Sequence, residues 1–205
     1  RTDFFKKGET VRAVIKKVEM RGGNPIVIIS RTDNAFLAKL MEAEVPEIFD
    51  GLIVIKNIVR EPGEKAKVVV ESFDDRIDPV GACVGVKGSR IHGIVRELKN
   101  ENIDIINHTT NLSLMVQRAL APAKINSLDI NQDKKRIAVY LDPDQVSLAI
   151  GKRGVNIKLA SRLVNFEIDV YGETGEEGNE EEYDIDIDEF SDEIEGWMID
   201  ELKKI

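Results

Sequence analysis

The sequence predicts an α+β fold in which one α-β-β-α-α-β unit occurs twice. Three observations carry this. Two four-residue loops, Gly85-Val86-Lys87-Gly88 and Gly151-Lys152-Arg153-Gly154, each follow a short apolar run and precede an amphipathic helical pattern. A pair of strand patterns lies ahead of each loop and leads into an Asp-Pro step, Asp78-Pro79 or Asp142-Pro143, which suits the first turn of a helix. The charge is also divided. Residues 173–201 hold 15 acidic side chains and no Lys or Arg. Setting these aside, with Lys203 and Lys204, turns the net −9 of the 205-residue chain into +4 for residues 1–172. A mildly basic body with an acidic C-terminal extension suits a polyanionic partner.

The elements follow in order. Residues 1–35 read as strands at 11–18 and 26–29 joined by the turn 21–25. Two strands cannot support a core of their own, so this segment reads as the remnant of a small β-barrel. The chain opens at Arg1 rather than Met, within a strand-like pattern, and is therefore expected to be a fragment. The first repeated unit is expected at 36–110. It has a helix over 35–44 ending near Pro46, strands at 52–58 and 67–71 across the polar turn 61–64, the loop, a helix with Ile91, Ile94, Val95 and Leu98 at helical spacing, and a strand at 103–105.

The second unit, 111–172, repeats this. A helix over 111–120 ends near Pro122, and strands at 125–130 and 136–140 flank the turn 131–134. After the loop comes a helix with Ile157, Ala160, Ser161 and Val164 on one face, then a strand at 168–170. Arg96 and Arg162 correspond on the polar sides of their helices. The link at about 108–111 is short enough to fix the two units relative to each other. Residues 173–190 read as an acidic linker without a core. Residues 191–205 read as a helix capped by Ser191, the start of a following segment, with Ile194, Trp197, Met198, Leu202 and Ile205 on one face.

Several functions are excluded by what the sequence lacks. No apolar run approaches the ~20 residues of a membrane span. A single cysteine, Cys83, rules out a disulfide framework and points to a reducing, cytoplasmic setting; within Val80-Gly81-Ala82-Cys83-Val84 it reads as a core residue. Neither loop fits the phosphate-binding G-x-x-x-x-G-K-[ST] or the dinucleotide G-x-G-x-x-G pattern. His92 and His108 have no Cys or His companions at ligand spacing, so no metal and no cofactor is expected. No nucleophile-base pair is visible.

The loops themselves suggest binding. Glycine at each end of a helix-helix turn permits positive φ and removes side-chain bulk, so a sugar-phosphate backbone can approach the peptide groups. The following helix directs its first N–H groups and positive dipole end at the phosphates. Lys87, Lys152 and Arg153 add attraction. The candidate RNA-contacting residues are Gly85, Val86, Lys87, Gly88, Ser89, Arg90 and Arg96 in the first unit. In the second they are Gly151, Lys152, Arg153, Gly154, Asn156, Lys158 and Arg162. An aliphatic groove beside such a loop admits the splayed bases of single-stranded RNA.

The α-β-β-α-α-β unit with its G-x-x-G loop resembles the type II KH domain. Two in tandem, after strands similar to the end of an S1-type OB barrel, resemble the NusA family of bacterial transcription factors. The most specific stretch runs from Arg76-Ile77-Asp78-Pro79-Val80-Gly81-Ala82-Cys83-Val84-Gly85 through Lys87-Gly88. Glu44-Val45-Pro46-Glu47-Ile48, Ala121-Pro122-Ala123, Ala149-Ile150-Gly151-Lys152 and Asn156-Ile157-Lys158-Leu159-Ala160-Ser161 are also typical. The resemblance covers about residues 1–172. It implies a non-enzymatic, monomeric elongation factor that binds nascent single-stranded RNA and RNA polymerase, alongside other antitermination factors, and modulates pausing, termination and antitermination. Its polymerase contacts would come mainly from a domain absent from this sequence. The alternative is the KH and S1 portion of an RNA-processing enzyme such as polynucleotide phosphorylase. That family typically carries one KH unit, so two argue against it.

Overall fold

The computed structural model describes residues 5–172; the expected acidic linker at 173–190 and helix at 191–205 lie outside the described residues. β1 (Val14–Arg21) and β2 (Asn24–Ser30) form an antiparallel hairpin. Its turn is tighter than the sequence suggests. Only Gly22 and Gly23 bridge the strands, both at positive φ as a two-residue hairpin turn requires. Pro25 lies inside β2 opposite Met20, which an edge strand tolerates.

The first unit follows. α1 (Asn34–Glu44) starts where the Asp33 carboxylate accepts from the Ala35 N–H, a side-chain N-cap. A four-residue helix that the sequence did not announce, α2 (Pro46–Phe49), turns the chain into β3 (Ile53–Glu61). β4 (Lys65–Ser72), α3 (Pro79–Val84), α4 (Ser89–Glu97) and β5 (Asn102–Asn107) complete it. β3 and β4 pair antiparallel and β4 and β5 parallel, giving the order β3-β4-β5. The second unit repeats the plan with α5 (Leu112–Leu120), β6 (Ser127–Asn131), β7 (Arg136–Leu141), α6 (Pro143–Ile150), α7 (Val155–Val164) and β8 (Glu167–Gly172), in the order β6-β7-β8.

The two cores are not independent. One contains Leu37, Met41, Val45, Val68, Val70 and Ile94, all from the first unit. The other is built on Val116, Leu120, Ile137, Leu141 and Leu163 of the second unit, but it also includes Val69 and Ile106 of the first. The sheet of the first unit is thus covered on one face by its own helices and on the other by the second unit. The link is tied down as well: the Arg118 guanidinium donates to the Asn107 carbonyl at 2.7 Å, and the His108 N–H donates to the Val70 carbonyl at 2.8 Å.

Ion pairs secure the first unit. Arg60 and Glu101 are buried together, with Arg60 Nη2 donating to Glu101 Oε2 at 2.8 Å. Arg60 Nη1 also donates to the Arg31 carbonyl at 2.9 Å. Lys67, wholly buried, donates to Asp104 at 2.7 Å, and Lys65 pairs with the same carboxylate at 2.8 Å. Burial pushes the Lys67 ammonium below its ordinary range despite that partner.

Candidate nucleic-acid interface

The two loops share one backbone. Gly85 and Gly151 have φ of 74° and 72° with ψ of 168° and 171°, a region essentially confined to glycine. Gly88 and Gly154 follow in the left-handed region at φ of 77° and 72°. Between them Lys87 (φ 53°) and Arg153 (φ 55°) are left-handed too, which a residue with a Cβ adopts only at some cost. Two consecutive left-handed residues raise the loop so that the side chains at its apex face solvent. Val86, Lys87, Lys152 and Arg153 are exposed.

The first glycine of each loop is needed for a second reason. A Cβ on Gly85 would lie 2.9 Å from Arg90 Cγ and 3.1 Å from Arg90 N; on Gly151 it would lie 2.6 Å from Asn156 Cβ and 3.2 Å from Asn156 N. Arg90 and Asn156 occupy equivalent positions, the second residue of α4 and of α7. Each folds back onto the preceding helix. Arg90 Nη1 donates to the Ala82 carbonyl at 2.6 Å, and Asn156 Nδ2 donates to the carbonyls of Leu148 and Ala149 at 3.3 and 3.1 Å. In both units this satisfies carbonyls left open where α3 or α6 ends.

Both residues belong to the expected RNA-contacting set, and their side chains lie against the preceding helix. Asn156 is buried, with its amide turned inward. Arg90 is half-buried, and its charge is matched by Glu47 at 2.8 Å. Each is a brace for its loop. The physical reason is the sharp reversal at the first glycine, which brings the start of the second helix against the end of the first.

Of the remaining expected residues, Gly88 is buried at the base of its loop. Ser89, Arg96 and Lys158 are exposed. Among the described residues, neither Lys87 nor Lys152 has a carboxylate partner. α4 and α7 begin at Gly88 and Gly154 without a side-chain cap, leaving their N termini open to an anion. Arg153 and Arg162 differ. Arg153 is bonded to Glu64, in the turn between β3 and β4 of the first unit, and Arg162 lies 3.4 Å from Glu61, the last residue of β3. A cleft of about 680 Å³ opens beside them, lined by Glu64, Asn100 and Asn102 from the first unit and by Gly151, Lys152 and Arg153 from the second. Sequence reasoning did not find Glu47, Glu61 or Glu64, because their partners lie 43 to 101 residues away.

Among the described residues, no group of three or more His, Cys, Asp and Glu side chains is placed to hold a metal ion, and no helix is long and apolar enough to cross a membrane. Burial pushes the Cys83 thiol up to about 12, far from a reactive thiolate. His108 Nδ1 lies 2.9 Å from Glu71. That hydrogen bond, with Lys56, holds the Glu71 carboxyl below its ordinary range.

Two α-β-β-α-α-β units, each with a G-x-x-G turn between its paired helices, define a tandem KH protein. Residues 31–108 match the NusA-like first KH domain and residues 112–178 the NusA-like second KH domain. The chain is 42% identical over 172 residues to the transcription termination/antitermination protein NusA of Bacillus subtilis, covering 84% of this chain and 46% of that protein. It is 38% identical over 167 residues to that of Thermus thermophilus, covering 82% and 43%. The chain belongs to the NusA family, and it spans about half the length of the curated relatives it matches. The crystal structure of APE1850 shares the fold at a TM-score of 0.50 and 19% identity, over 66% of this chain and 95% of that one.

Proposed function

We propose that this chain is the RNA-binding part of a bacterial transcription elongation factor, holding nascent single-stranded RNA on its two G-x-x-G loops. One observation carries the reading. Both loops combine the same glycine-dependent backbone, an uncapped helix N terminus behind it, and an exposed lysine, Lys87 or Lys152, with no carboxylate partner among the described residues. That is the equipment for a phosphate backbone, delivered twice in one compact unit. Gly85, Val86, Gly88 and Ser89, with Gly151 and Gly154, supply the close approach; Arg96 and Lys158 extend the basic track.

The family membership supports a role in termination and antitermination, with RNA polymerase and other antitermination factors as partners in the cytoplasm and no catalytic step by this chain. We read 36–110 and 111–172 as the two KH domains and 1–35 as the end of an S1-type barrel. A two-stranded hairpin that leaves Ile15, Val18, Met20, Val27 and Ile29 exposed supports that last assignment, since such side chains belong against further strands.

The test is Lys87→Asp with Lys152→Asp and Arg153→Asp, assayed by fluorescence anisotropy with labelled single-stranded RNA. The triple variant is expected to keep its circular dichroism spectrum and lose binding. The parent should lose affinity with salt at a slope of about −0.7 per phosphate contacted. Unchanged affinity in a folded variant would refute the reading.

A further inference from the structure

The second loop carries a cation more than the first, yet that extra charge is already engaged. The Arg153 guanidinium is bonded to the Glu64 carboxylate across the junction of the two units. Glu64 is not on a loose loop. Its N–H donates to the Glu61 carbonyl at 3.0 Å, and its own carbonyl accepts from the Asn102 N–H at 3.0 Å. The neighbouring Gly63 N–H donates to the buried Glu101 carboxylate at 2.8 Å. A turn anchored at three points thus holds a carboxylate at the rim of the cleft, against the apex of the second loop. The neighbouring Lys65 does not neutralise it, being paired with Asp104. Carboxylate and phosphate present the same pair of acceptor oxygens to a guanidinium, so Glu64 stands where a phosphodiester oxygen would satisfy Arg153.

We propose that Glu64 is an intramolecular gate on the second loop. In the free protein it holds Arg153; a phosphodiester of single-stranded RNA entering the cleft takes Arg153 from it, and Glu64 turns to solvent. This rests on the RNA-binding reading above. Arg153 is mostly exposed, with 67% of its side chain accessible against 28% for Glu64, so the exchange needs no unfolding. The gate sets a threshold. Within the second loop itself, Lys152 is the cation without a carboxylate partner among the described residues, and an anion gains Arg153 only by displacing a carboxylate. The two loops of the free protein therefore present equal charge, one lysine each, despite their sequences.

The test uses the full chain and a fluorescein-labelled pool of random single-stranded RNA about twelve nucleotides long, enough to span two KH units at about four nucleotides each. Wild type, Glu64→Gln, Arg153→Gln and the double variant are compared at ~0.1 M salt, where surface charges are screened beyond about 10 Å. Asp144→Asn, an exposed acid elsewhere on the second unit, reports the effect of merely removing a negative charge. Releasing an exposed pair of this kind is expected to tighten binding about two- to fivefold in Glu64→Gln. Arg153→Gln should weaken binding, and Glu64→Gln should give no gain once Arg153 is gone. Equal tightening with and without Arg153, or tightening matched by Asp144→Asn, overturns the gate in favour of general repulsion. Unchanged or weaker binding by Glu64→Gln overturns it in favour of a strut between the units. If wild type itself binds no RNA, the functional reading falls and the gate with it, an outcome visible before any variant is compared.

Discussion

Replacing Gly151 with alanine separates what the loop backbone requires from what its charges do. At φ 72° and ψ 171° the backbone sits where residues with a Cβ are almost never found, a strain of about 1–3 kcal/mol. The added methyl would also meet Asn156 Cβ at 2.6 Å and the Asn156 backbone N at 3.2 Å. Neither can swing away, because Asn156 begins a helix anchored by buried Leu159 and Leu163. Overpacking of that kind costs about 1–3 kcal/mol, so Gly151→Ala should lose about 2–6 kcal/mol in all. Gly154 is the internal control. It is also left-handed, at φ 72° and ψ 13°, but its Cβ would meet nothing closer than Lys158 Cε at 3.8 Å. Gly154→Ala should therefore cost only the left-handed penalty, about 1–2 kcal/mol. Gly85→Ala, with its clash against Arg90 N at 3.1 Å, should fall with Gly151→Ala. Urea unfolding reads the difference as a shift in midpoint at constant slope. If Gly154→Ala proves as damaging as Gly151→Ala, the argument from the start of α7 is wrong.

Three further outcomes follow from the packing. Glu101→Gln leaves the buried Arg60 guanidinium without a counter-charge and should cost about 3–5 kcal/mol; a loss below about 1 kcal/mol in urea unfolding would contradict that. Lys67→Met removes a buried ammonium whose partner, Asp104, keeps Lys65 at 2.8 Å, so the melting temperature should hold or rise, and a clear fall would show that the buried pair is needed. Cys83, with its thiol pushed up to about 12, should resist a thiol-reactive chromogen at pH 8 until urea unfolds the chain, and equal folded and unfolded rates would count against its burial.

The repeat was legible because its signals are local. Apolar spacing places α4 and α7, Asp-Pro steps place the starts of α3 and α6, and polar turns separate β3 from β4 and β6 from β7. α2 was not legible, since four residues are too few to show a period. The left-handed conformations of Lys87 and Arg153 were hidden because nothing in a lysine or arginine announces positive φ. The inward turn of the Arg90 and Asn156 side chains was hidden for a related reason: nothing local in a basic or polar residue beside a G-x-x-G loop announces the reversal that lays it against the preceding helix. The pairs Arg153–Glu64 and Arg162–Glu61 join residues 89 and 101 positions apart, and no local pattern encodes them.

The two units follow one plan but are not used alike, and β4 and β7 show why. β7 alternates buried and partly buried residues, as a strand with one covered face does. β4 is buried continuously from Ala66 to Val70, because Ala66, Val68 and Val70 face their own helices while Val69 joins the core of the second unit. The second unit therefore sits on the sheet of the first, with α7 against β3 and β4. That packing ties the second unit to the sheet of the first through a shared core. It also brings Glu61, at the end of β3, and Glu64, in the turn that follows, against α7 and its loop. Packing and restraint share one origin: the contact that joins the two units also places a carboxylate on Arg153. A change that loosened Val69 or Ile106 from the second core should then lower stability while freeing Arg153 from Glu64, two effects that Glu64→Gln alone, which frees Arg153 and leaves the core intact, would separate.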